Sequence, residues 1–539
     1  MSELEKANFL LRVRPMLMKL SSSPREGTPR TFGWLRQGLA LAGALLASGS
    51  LVAQIQRITV DSDAPSAAAG GVSVYSSGNE IIREADGSLT VAYARNHPIG
   101  ATGSPNFVYL ARSKDAGAHW TYQRTDQFTF VARPDCLLRL PSGGYVLGTT
   151  YNNLGFVNRS TNGTDWLPLN KDSELGRIYP LSSTVTTSGV VMDVDAAGTI
   201  HMAYTRSFDG GQYPYNVGYR TSKDGGATWS AETDITQVPN NLDQVGFGAW
   251  YPTLTVGPAG TVFIAYSRFY KTNIVSGSVT NTVHYNVPQL SVFDGTKWLE
   301  PKTFGDPSIS WFSYPAVSTD AAGNLHTIHV QHPGKLASGR VIYQKLPRGG
   351  STFSDPVLIS PATNNAVNIA LGVFESDTVL VGWDDAEYTG SALNYRAVYA
   401  ASSADGFQNL IRVSAPGTIG RAPAIRNRIG AFSSAEKMDI VWTESNPSTG
   451  SDVPPDRLMF ADLGPVITRP LVASIVDGPT AATLKFTGVS GRRYQVESSS
   501  TLSAWTAVGS PVTASTSVIS VDLPKSAATG FFRVTDVTP

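Results

Sequence analysis

Residues 199–207 read TIHMAYTRS and residues 261–269 read TVFIAYSRF. In both, side chains of opposite character alternate with period two, which is the pattern of a β-strand. Working outward from this pair, the same pattern recurs as SLTVAYARN (88–96), GYVLGTTYNN (144–153), NLHTIHVQH (324–332), DTVLVGWDD (377–385) and KMDIVWTES (437–445). Tight-turn residues precede the copies: Asp86-Gly87, Ser142-Gly143-Gly144, Ala197-Gly198, Ala259-Gly260 and Ala322-Gly323. Glycine supplies the positive φ that such hairpins need.

Each copy is the second strand of a longer unit. An apolar strand precedes it, and a third strand and a short fourth strand follow, as in ETDIT (232–236), PVLIS (356–360) and LIRVS (410–414). Internal repetition of this kind decides the fold. The reading is all-β: a seven-bladed β-propeller of four-stranded blades, a radial arrangement that leaves only short protected edges. The last unit, around RLMFADLG (457–464), lacks a fourth strand, and RITVDSD (57–63) has the character to supply it and close the ring. The propeller is expected over 54–464. A six-blade count requires merging the units near 133 and 180.

The turns after the third strands carry a motif. Residues 113–120 (SKDAGAHW) and 222–229 (SKDGGATW) fit S-x-D-x-G-x-x-W, with degenerate versions at 160–166 and 293–298. The Asp bonds turn amides, the Gly takes the left-handed position and the Trp packs over the hairpin. This motif resembles the Asp-box, or BNR repeat, and with it the chain resembles the sialidase-like superfamily over about 400 residues. That resemblance implies a glycan ligand in the funnel on the opposite face, and structural roles for Asp115 and Asp224.

Composition bounds the remaining possibilities. Lys plus Arg and Asp plus Glu are both 42, which argues against a general basic field for nucleic acid. Cys136 is the single cysteine, so neither a disulfide nor a Cys-based zinc site exists within the chain, and it reads as a small buried strand residue. Residues 1–53 read as a basic leader and apolar run, GLALAGALLASGSLV, of signal-peptide type with cleavage near Ala53. The run is short for a bilayer span, so a secreted, periplasmic or cell-surface protein without stable membrane insertion is expected. After Pro465 the pattern changes to short alternating strands, among them ATLKFTGV, RRYQVESS and SVISVDL, which read as a fibronectin-like β-sandwich over 465–539. This tail is similar to C-terminal modules of secreted Planctomycetes and Verrucomicrobia proteins.

In a propeller, first-strand starts and second-strand ends converge on one mouth. Arg133, Arg268, Arg421, Arg206, Arg95, Trp250 and His97 fall there as substrate-binding candidates, and Asp135, Asp384, Asp385, Glu444, Tyr251 and Tyr314 as catalytic ones. Aromatics stack on sugars and arginines grip carboxylates, so an acidic glycan is the expected partner. The sialidase resemblance carries Arg133 over from VARPD (131–135) as the carboxylate-binding arginine. Pro134 follows it directly, where the family string has Ile first.

Three functions follow. The first is a sialidase-like glycosidase, for which the resemblance implies an Asp acid and a Tyr–Glu nucleophile pair, while a glycosidase of the commoner kind would use two carboxyl groups across the bond. The second is a polysaccharide lyase cleaving a uronic-acid polymer by β-elimination, for which His201, Tyr204 and Arg220 are additional candidates. The third is a glycan-binding propeller without catalysis. Neither cofactor nor metal is expected. His326, His329 and His332 alternate across a strand and cannot all meet one ion. The protein is expected to be a monomer.

Overall fold

The computed structural model describes residues 55–64, 80–96, 106–125, 132–151, 153–169, 172, 174–208, 212–238, 248–276, 279–305, 315–332, 339–361, 365–374, 377–389, 392–425, 437–445, 456–464, 472–477, 481–487, 493–499, 505–515, 518–524 and 531–537. The expected leader, His97 and Tyr314 lie outside the described residues. The protein is all-β. Among the described residues the one named helical element is the 3-10 turn Ser403–Asp405.

Up to residue 464 the strands form successive antiparallel sheets. The first contains Ile81–Arg83, Leu89–Asn96, Asn106–Ser113 and Thr121–Arg124. The second is three-stranded: Ala132–Arg139, Tyr145–Tyr151 and Leu154–Ser160. The third contains Thr186–Val194, Ile200–Phe208, Gln212–Ser222 and Thr233–Asp234. The fourth contains Ala249–Val256, Val262–Ser276, Val279–Phe293 and Lys302–Thr303. The fifth contains Ala316–Thr319, Leu325–Gln331, Arg340–Leu346 and Val357–Leu358. The sixth contains Ala366–Val373, Val379–Thr389, Ala392–Ser402 and Ile411–Arg412. The seventh contains Ile419–Ile425, Asp439–Ser445 and Asp456–Asp462, with Ile58–Ala64 paired on its edge.

The first strands of the second to seventh sheets touch their neighbours in chain order, and Ile58–Ala64 packs back on Leu89–Asn96 of the first sheet. The second strands lie in the middle of this stack. That is why their apolar residues are buried between two neighbouring sheets, as with Met202 and Tyr204, or Ile264 and Tyr266. Cys136 is buried in the same way, among Met192, Met202 and Tyr204.

Polar contacts fasten the first sheet to the seventh and its edge strand. Asp61 accepts the Tyr93 hydroxyl at 2.6 Å and pairs with Arg95 at 2.8 Å. Arg83 makes a two-point contact with Asp439, 2.8 and 2.6 Å, with both side chains buried. The S-x-D-x-G-x-x-W turns close as the motif requires. Ser113 Oγ donates to Asp115 at 2.8 Å, His119 N donates to the same carboxylate at 2.9 Å, and Trp120 Nε1 donates to Gly117 O at 2.8 Å. The Trp120 ring meets Phe460 of the seventh sheet edge-on at 5.8 Å, so this turn also packs across the junction of the first and seventh sheets. In the tail, Val472–Asp477, Ala481–Thr487 and Val518–Pro524 form one sheet. Arg493–Ser499 carries a second, and Leu484, Phe486, Tyr494 and Val496 bury together.

A candidate carbohydrate cleft at the strand starts

A local irregularity prepares the site. The pairing of first and second strands slips by an extra residue between Pro134 and Cys136 in the second sheet. It slips again opposite Tyr204 in the third, between Trp250 and Thr253 in the fourth, between Val367 and Ile369 in the sixth, and between Arg421 and Ala424 in the seventh. Such bulges bend a strand and re-aim a side chain, and they gather at sheet edges and beside active sites.

The bulges of the second, third and fourth sheets meet at one open cleft. Its lining comes from the second sheet (Arg133, Asp135, Asn153), the third (Thr186 to Gly189, Thr205, Tyr215) and the fourth (Trp250, Tyr251, Pro252). Trp250 is fixed by aromatic contacts, edge-on to Tyr215 at 4.7 Å and tilted on Phe269 at 4.4 Å. Tyr251 reaches the cleft from a backbone with φ +54, a real outlier for a bulky residue. Sparsely populated backbone of this sort persists where the surrounding structure imposes it.

Asp135 is buried beneath Arg133. Its carboxylate pairs with Arg133 Nε at 3.2 Å, accepts Val190 N at 3.1 Å and accepts the Thr150 hydroxyl. Burial pushes its carboxyl above the usual range, opposed by Arg133 and these hydrogen bonds. Arg133 keeps 24% of its side chain exposed and so presents charge to the cleft.

The other sequence candidates sit elsewhere. Arg95 belongs to the Asp61 contact, and Arg206 pairs with Glu232 at 3.1 Å and with Asp234. Arg268 donates to the backbone oxygens of Gly248 and Phe269 and lies over the Tyr270 ring. Arg421 starts the bulge of the seventh sheet, and its carbonyl accepts the Thr443 hydroxyl. Asp384 is buried and bonded to Arg396 Nε at 2.6 Å, Asn368 at 2.7 Å and Ala422 N at 2.9 Å. Asp385 and Glu444 are also buried, each accepting an indole N–H from a Trp two residues earlier, Trp383 and Trp442. Glu444 also pairs with Arg457 at 3.1 Å.

The expected grouping of His201 with Tyr204 and Arg220 divides in two. Arg220 Nε donates to the Tyr204 hydroxyl at 3.0 Å. His201 instead bonds the Tyr219 hydroxyl at 2.6 Å and lies 3.4 Å from Asp195, because residues 201 and 204 point to opposite sheet faces. His326 repeats the second arrangement with Tyr343 and Asp320. Sequence reasoning missed Tyr215, Asn153 and the 186–189 lining. Nothing in a T-T-S-G run marks a ligand site until a bulge turns it toward one.

No family model and no curated protein matches the chain. Solved structures do match at low identity. A polysaccharide lyase, an ulvan lyase, is 12% identical over 75% of this chain and 95% of its own, with a TM-score of 0.48. The α-L-arabinanase of Penicillium chrysogenum, complexed with arabinobiose, is 13% identical over 67% of this chain and 98% of its own, with a TM-score of 0.41. An α-L-arabinofuranosidase of Fusarium graminearum is 16% identical over 66% and 97%, with a TM-score of 0.43. All three are carbohydrate-active enzymes.

Proposed function

We propose that residues 54–464 form a seven-bladed β-propeller whose cleft binds an acidic carbohydrate and cleaves it by β-elimination, and that 465–539 form a β-sandwich. The cyclic order of sheet contacts and the pairing of Ile58–Ala64 with Asp456–Asp462 support the blade count. The observation that carries the chemistry is the make-up of the cleft. A half-buried guanidinium, Arg133, lines the cleft with Trp250, Tyr251 and Tyr215, and Asp135 is the one carboxyl among the described lining residues.

Hydrolysis by most glycosidases asks for two carboxyl groups about 5–9.5 Å apart across the bond, whereas sialidases use a tyrosine as the nucleophile. Elimination asks for different parts. A cation neutralises the sugar carboxylate, which acidifies the neighbouring C–H. A base removes that proton, the electron pair forms a C=C bond, the C–O bond to the leaving sugar breaks, and its oxygen takes a proton. Arg133 fills the first role, Tyr251 and Tyr215 carry the protons, and Trp250 offers an apolar face for the sugar ring.

A sialidase-like hydrolysis is the second reading, favoured by the burial that raises the Asp135 carboxyl toward the protonated state of a general acid. Incubation with polygalacturonate, alginate, chondroitin and a sialoside separates these readings. Elimination generates new reducing ends together with ultraviolet absorbance from unsaturated sugars. Reducing ends without that absorbance would replace elimination by hydrolysis. Saturable binding with neither would leave a non-catalytic propeller.

A further inference from the structure

We infer that the bare peptide at Gly189 is the seat of the bound sugar, a position kept free of a side chain so that the ligand can lie against backbone. This rests on the carbohydrate reading of the cleft. Gly189 stands at the bulge of the third sheet with φ +62. The equivalent bulges hold Tyr251 at φ +54, Asn368 at φ +44 and Ala422 at φ +47. Three of these four left-handed positions carry a side chain, so glycine is the unstrained residue at this φ but not an obligatory one.

Packing does not demand it either. A Cβ placed on Gly189 would meet no protein atom within 4 Å. Other glycines of the neighbouring strands are different. A Cβ on Gly155 would come within 2.6 Å of Thr187 Oγ1, and one on Gly148 within 3.0 Å of Val190. Gly189 lines the cleft together with Arg133 and Tyr251. Glycine is used where a ligand approaches the backbone closely, and Gly189 combines open space at its Cβ position with a place in the cleft lining. The adjacent bulge contributes the largest of the three side chains, Tyr251, so one structural device supplies both a bare and a bulky lining position. The seat suits a flat pyranose ring whose carboxylate points to Arg133.

The test compares Gly189→Asn with Gly198→Asn. Asparagine tolerates left-handed backbone, so both variants keep the fold. Gly198 has φ +85 and equally open surroundings, but lies in the Asp195–Gly198 turn outside the cleft. Affinity is measured by calorimetry for polygalacturonate, alginate and chondroitin oligosaccharides, alongside melting temperature. Gly189→Asn is expected to bind at least about ten-fold more weakly, as a misplaced group in a fitted site does, while Gly198→Asn binds like the wild type. Should Gly189→Asn fail to fold, Gly189→Ala supplies the same comparison with a smaller obstruction. Equal affinity in a folded Gly189 variant overturns the seat and leaves the carbohydrate reading standing. A wild type that binds none of the three overturns both.

Discussion

His329 makes the stability of this protein depend on pH in a calculable way. It lies in Leu325–Gln331, fully buried, with its ring edge-on to Phe304 at 5.6 Å and its Nε2 against the backbone of Gly305. Among the described residues neither ring nitrogen has a hydrogen-bond partner. Burial alone lowers its pKa from 6.5 to about 4. Above pH 6.5 folded and unfolded chains both hold the ring neutral, and the residue adds no pH dependence. As pH falls below 6.5 the unfolded chain takes up a proton that the folded chain refuses until about pH 4. Stability is then lost at up to about 1.4 kcal/mol per pH unit, reaching about 3 kcal/mol at the lower end. His329→Leu keeps an apolar side chain of similar size and removes the proton site. Urea unfolding followed by tryptophan fluorescence, between about pH 7.5 and 4.5, gives both profiles. The wild type should lose stability relative to His329→Leu steadily on acidification, because the remaining titrating groups are common to both. Parallel profiles would refute the reasoning and require a polar partner for the ring.

Three further outcomes are expected. Asp61→Ala removes the acceptor of Tyr93 and the partner of Arg95, and should cost about 1–3 kcal/mol of unfolding free energy by freeing the Ile58–Ala64 strand; an unchanged urea midpoint would show that apolar packing alone closes the ring. Arg83→Ala leaves the Asp439 carboxylate buried without its two-point partner, and should cost about 3–5 kcal/mol, read as a lower urea midpoint. Arg133→Ala should abolish turnover of the acidic polymer and also lower the melting temperature, because Asp135 beneath it loses its ion pair; full activity would remove Arg133 from the chemistry.

The sequence alone determined a good deal. Period-two strands, glycine turns and recurring units dictated an all-β chain of successive antiparallel sheets, because alternation and turn chemistry are local properties written into neighbouring residues. It also marked Arg133, Asp135, Trp250 and Tyr251 as candidates, since all four lie at strand starts. Only the tertiary structure separated these from Asp384, Asp385, Glu444, Arg206 and Arg268. Those occupy similar positions in their units but are bonded to partners from other strands or to nearby backbone and indole groups. Bulges decided the rest. One extra residue in a strand, invisible in composition or period, turns Tyr251 into the cleft and leaves Gly189 bare in its lining. Strand identity depends on neighbours in sequence, whereas a site depends on which three sheets the chain folds side by side.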